Sequence, residues 1–151
     1  MKISEHIIGA APLVERFGHW PSFHDAEIIR FTLDRSTDKS PSAEMLVHIW
    51  AMTSKVDDRG YYVLEKNTIV RLVFERLLAC ELSDFNHQNV LFGLEIEEQE
   101  VEGQRAFCIT IDSSYGLSGS LACRRVVVAD VRPADADGCP AGLADADSAR
   151  Q

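Results

Sequence analysis

The sequence has no C-x-x-C pair, no phosphate-cradling glycine loop, no long apolar run and few basic residues. Each absence removes a class of function. The four cysteines stand alone at 80, 108, 123 and 139. Zinc sites draw on paired ligands at short spacing, so a structural zinc is not expected. Cys80, Cys108 and Cys123 sit inside apolar segments and read as buried free thiols, while Cys139 lies near the C-terminus. The serines at 22, 113, 114, 118 and 120 have no G-x-S-x-G context, and no cysteine is flanked by an activating group. The pattern G-x-x-x-x-G-K-S/T is missing as well, and no cofactor is expected. An apolar patch, Ile7 to Val14, is preceded by Glu5 and His6 and broken by Pro12, which makes a poor signal peptide. Nothing approaches the roughly 18 apolar residues of a membrane helix. The chain therefore reads as soluble and cytoplasmic, with no membrane partner.

The charge is one-sided. Fifteen Lys and Arg against 24 Asp and Glu give −9. Four aspartates (Asp135, Asp137, Asp145, Asp147) against Arg150 put −3 of this in residues 133–151, leaving −6 on residues 1–132. Nucleic-acid binding draws on clustered Lys and Arg, so nucleic acid is not expected as a partner. An acidic surface suits a basic protein partner through steering and complementarity. Solubility alone also explains it.

What is present is a chain of strands. In residues 1–18, Pro12 suits an early helical position, Leu13 and Phe17 share a face, and Gly18 fits the stop. From Ala26 the period becomes two, with Ile29, Phe31 and Leu33 alternating with Arg30, Thr32 and Asp34. Ser36 to Ser42 is a loop by composition. Glu44 to Thr53 is apolar on both faces and reads as a central strand covered on both sides. Asp57 to Gly60 is a turn, followed by short strands at 61–64, 68–74 and 78–82. Val90 to Glu97 and Ala106 to Ile111 form a hairpin whose loop, Glu98 to Gln104, contains Gly103; Leu121 to Val131 is the last strand. The expectation is an α+β domain over residues 1–132. It is a mainly antiparallel β-sheet of six or seven strands with one short N-terminal helix packed on it. Residues 133–151 collapse to Ala, Asp, Gly and Pro and are expected to be a disordered tail.

Three segments could carry chemistry. Phe17 to Glu27 packs three aromatics, two histidines, a proline and two carboxylates into eleven residues, a junction between core edge and polar surface. Its His24-Asp25 pair, with His19 and His87, is a conceivable metal cluster for a hydrolase, provided the fold joins distant segments. Otherwise Asp25 caps a turn, with His24 beside it. Phe85 to Leu91 places Asn86, His87, Gln88 and Asn89 in a row between apolar anchors. These make either a hydrogen-bonding recognition patch or a bulge or wide turn. The run Glu95, Glu97, Glu98, Glu100 and Glu102 holds five carboxylates and no cation. Like charges this close must be solvated or met by a cationic partner.

Taken together, Phe17-Gly18-x-Trp20-Pro21-Ser22-Phe23-His24-Asp25-Ala26-Glu27, Gly60-Tyr61-Tyr62, Phe85-Asn86-His87-Gln88-Asn89-Val90-Leu91 and Ser114-Tyr115-Gly116-Leu117-Ser118-Gly119 resemble the immunity protein 50 family. The resemblance spans roughly residues 13–131. It implies a small bacterial antitoxin of a contact-dependent or polymorphic toxin system, which binds and neutralises a cognate protein toxin without catalysis. Glu95, Glu97 and Glu98, with the exposed parts of His24 and Asp25, are the candidate contact residues. A metal-dependent hydrolase using His24, Asp25 and His87, or a self-associating structural β-domain, are the alternatives.

Overall fold

The two-residue period of the sequence is realised as six antiparallel strands: β1 (Glu27–Asp34), β2 (Ser42–Val56), β3 (Tyr62–Ser83), β4 (Val90–Val101), β5 (Gln104–Tyr115) and β6 (Ser118–Pro133). The computed structural model describes residues 2–36 and 40–139, so residues 37–39 of the expected loop lie outside the described residues. The strands close into a barrel in the order β1-β2-β3-β6-β5-β4. Alternate residues point inward. Ala43, Met45 and Val47 of β2 meet Val70, Leu72 and Phe74 of β3, and Ile109, Ile111, Leu121 and Val126 complete the same core. Each large side chain buried this way contributes about 1.5–3 kcal/mol.

The helical expectation holds. A 3-10 turn at Ile3–His6 precedes α1 (Ala11–Phe17), which has Pro12 in its first turn. Gly18, at φ 82°, ends α1 by donating its N–H to the Val14 carbonyl at 2.7 Å. A helix of seven residues does not hold itself together in water. Its anchor is Leu13, fully buried in the core, while Arg16 Nε donates to Thr68 Oγ1 at 2.6 Å. The preceding residue Ile8 forms a parallel bridge to Val127, taking an edge of β6 that β5 leaves free beyond Cys123.

Four readings need correction. The three short strands expected between 61 and 82 are one strand, β3, bent at two bulges; Lys66 (φ 57°) and Arg76 (φ 55°) break its alternation without breaking its pairing. Residues 98–101 are strand rather than loop, because β4 and β5 stay paired to Val101↔Gln104 around a two-residue Glu102-Gly103 turn. β2 is not covered on both faces. Its pairing with β1 ends at His48, and it leaves the barrel with Met52 59% exposed. Of the thiols expected to be buried, Cys123 is, whereas Cys80 and Cys108 are half-buried.

In the segment expected as a tail, Pro133 ends β6 and residues 135–139 form a hydrogen-bonded turn. Ala134 donates to the Asn67 carbonyl, Asp135 Oδ1 accepts from the N–H groups of Asp137 and Cys139, and Gly138 lies against the His48 ring. Residues 140–151 lie outside the described residues.

Candidate functional site: an acidic sheet face

The barrel closes at a narrow seam. β1 and β4 share one register pair, Glu27↔Val90, flanked by Ile28 N–H to Asn89 O (2.8 Å), Leu91 N–H to Ala26 O (2.8 Å) and Asp25 N–H to Leu91 O (2.9 Å). These bonds join the His24-Asp25 corner to the Phe85–Leu91 segment, so the two unusual stretches of sequence meet. The corner is strained: Phe23 (φ 62°) and Asp25 (φ 65°) both occupy the left-handed region, at about 1–3 kcal/mol each. Burial of Phe23 against Trp20, ring centroids 5.6 Å apart, holds it.

The histidines do not converge as a metal site. His24 places Nδ1 2.9 Å from the Phe92 carbonyl and Nε2 3.6 Å from Asp25 Oδ1, while His87 stacks edge-on to Tyr115. Among the described residues no group of three His, Cys, Asp or Glu side chains could hold an ion. Among the described residues no backbone N–H bonds the Asp25 carboxylate; Ser22 Oγ accepts the His24 N–H instead, at 3.3 Å.

Asn89 explains the amide-rich segment. It is 3% exposed, and its Oδ1 accepts from Asn86 N–H (3.1 Å) and Leu117 N–H (3.0 Å) while its Nδ2 donates to Asn86 O (2.8 Å). One side chain thereby ties the loop to the β5–β6 turn. Gly116 in that turn has φ 85°, and a Cβ there would stand 2.3 Å from the Gln88 carbonyl. The segment is a brace for the barrel seam.

The glutamate run divides by strand parity. Glu95 and Glu97 point outward, whereas Glu98 shares the parity of buried Leu94 and Ile96 and is held by Arg105 Nε at 2.9 Å and His6 Nε2 at 3.6 Å. Glu98 thus ties the hairpin to the N-terminal 3-10 turn. On the outer face, the register aligns Glu95 with Thr110, Ser120 and Glu81, and the next row is Glu97, Cys108, Ala122 and Ala79. This face is made of small side chains bordered by carboxylates. Among the described residues no salt bridge engages Glu81, Glu95 or Glu97. Glu81 was missed from sequence because its place beside Glu95 depends on β6 and β5 lying between them.

The immunity protein 50 family matches residues 9–134. This chain belongs to that family. The match takes in the strained corner, the Asn89 brace, every strand and the start of the final turn. No curated protein and no solved structure matches the chain. Among the described residues no helix is long and apolar enough to cross a membrane.

Proposed function

We propose that this member of the immunity protein 50 family binds a cognate protein toxin and blocks it without catalysis, in the cytoplasm of the cell that makes it. The outer face of β3, β6, β5 and β4 is the contact surface, and a basic patch on the toxin is what it meets. The observation that supports this most is the pairing of two features on one face. Glu81, Glu95 and Glu97 have no cationic partner there among the described residues, and the side chains between them are small enough to let a flat surface approach. Three carboxylates left to solvent are met at low cost by Lys or Arg, which also speeds encounter. Family membership supports the immunity role itself.

The test is titration of the purified chain into the product of the neighbouring toxin gene, followed by calorimetry. The Glu95→Lys/Glu97→Lys double variant is expected to bind at least about tenfold more weakly, mostly through a slower association rate at low salt. Both positions are exposed, so folding should be unaffected. Unchanged affinity in a folded variant would remove this face from the account.

A further inference from the structure

Beyond the barrel stands an arm that toxin binding through the acidic face leaves unused. β2 loses β1 after His48, and β3 gains β6 only at Thr68. Residues 50–56 and 62–66 therefore form a two-stranded ribbon whose outer edges carry no strand among the described residues. Its base is fixed, with His48 Nε2 3.0 Å from Asn67 Oδ1 and Arg16 Nη2 donating to the Asn67 carbonyl at 3.2 Å.

One face of this ribbon is apolar and open. Met52 lies opposite Leu64 and Val56 opposite Tyr62; a register shift separates the two pairs on β2, while Tyr62 and Leu64, two apart on β3, point the same way, and Tyr61 stands at the tip. Their exposures run from 43% for Leu64 to 69% for Tyr61. A two-stranded ribbon is marginal in water without a further layer over its apolar face. Charge says what that layer is. Residues 51–66 carry Lys55, Arg59 and Lys66 against Asp57, Asp58 and Glu65, a balance of zero in a chain of −9. A basic partner gains no net attraction here. A second copy meets no net repulsion on this arm, and the mixed signs can pair across a two-fold axis.

We propose that the ribbon packs face to face against the same ribbon of a second copy, making a homodimer through Met52, Val56, Tyr61, Tyr62 and Leu64. Open apolar patches of about 300–600 Å² are the most that monomers ordinarily carry, and a stable dimer takes roughly 800 Å² from each partner. Five of the twelve large apolar side chains exposed among the described residues stand on this one arm, the apolar centre that such a contact needs. The inference is independent of the toxin reading and is tested on the chain alone.

Sedimentation velocity of the full chain across a concentration series should show a dimer. Met52→Asp/Leu64→Asp should sediment as a monomer at the same concentrations, with its circular dichroism unchanged, because both side chains are exposed. Tyr62→Arg, made separately, should raise the dimer dissociation constant at least about tenfold. A wild-type chain that stays monomeric up to about 100 μM would overturn the proposal. So would a dimer that survives all three substitutions in folded protein.

Discussion

Truncating Asn89 to alanine tests whether the amide-rich segment is a brace. The substitution removes the one side-chain oxygen that accepts from both Asn86 N–H and Leu117 N–H, along with the donor to Asn86 O. Leu117 is 2% exposed, so water does not readily replace the bond its N–H loses. Each buried donor left unmatched costs about 1–3 kcal/mol, and Asn86 is better placed for rescue by solvent. The loss expected is about 2–4 kcal/mol, a melting temperature lower by roughly 4–16 °C for a chain of this size. Urea unfolding followed by circular dichroism measures it, with the m-value unchanged if only the native state has been weakened. His87→Ala is the control. His87 is exposed in the same loop and should stay within about 0.5 kcal/mol of wild type. An Asn89→Ala variant that loses less than about 1 kcal/mol would refute the reasoning and return the segment to the list of binding surfaces.

Four further outcomes follow from the same structure. Leu13→Ala should cost about 2–4 kcal/mol, read by urea unfolding, because the one helix is held by that fully buried side chain. Gly116→Ala should destabilise by more than about 2 kcal/mol, since the new Cβ meets the Gln88 carbonyl at 2.3 Å on a backbone with φ 85°; a tolerant Gly116→Ala would mean the turn moves freely. Burial pushes the Cys123 thiol from its usual 9.0 up to about 12. A raised folded-state value means stability that is complete below pH 9 and falls as pH rises toward 12, because the unfolded thiol ionises first. That alkaline loss should be smaller in Cys123→Ala, measured as stability against pH. In native protein a thiol reagent should label exposed Cys139 and leave Cys123 unreacted.

Much of this fold is visible in the sequence because its core is written with period two. Ile109 and Ile111, or Val70, Leu72 and Phe74, alternate with polar or half-buried neighbours, and Pro12 with Gly18 marks the helix. The sequence misleads where local geometry departs from that rule. Lys66 and Arg76 take a backbone conformation that L-residues seldom adopt, so β3 looked like three strands. Residues 98–101 read as loop since Glu98 and Glu100 carry no apolar signal, yet Glu102 and Gly103, both at positive φ, make the two-residue turn that tight hairpins favour. The Asp135-x-Asp137-Gly138 turn was hidden by the composition around it, although aspartate binding its own downstream N–H groups is a local signal. For the site, the glutamates themselves were legible and their division was not. Parity puts Glu95 and Glu97 on the outer face and Glu98 on the opposite side beside Arg105 and His6, while Glu81 joins the first two only through pairings far apart in the chain.

The two surfaces argued for here occupy opposite ends of one strand. β3 begins in the ribbon at Tyr62 and ends beside the acidic face, with Ala79 and Glu81 in register with Ala122 and Ser120. At about 3.3 Å per residue, the fifteen steps from Leu64 to Ala79 are longer than the Debye length of about 8 Å in physiological salt, even around a curved barrel. Carboxylates on the acidic face are therefore screened from events at the ribbon. Two copies joined by their neutral arms would leave both acidic faces free, and neither face would lose its attraction for a basic partner. This separation also makes the two experiments independent. Charge reversal at Glu95 and Glu97 should leave the sedimentation of the chain unchanged, and Met52→Asp/Leu64→Asp should leave its binding per subunit intact. Cross-talk between them, with folded variants, would mean that a single surface serves both contacts.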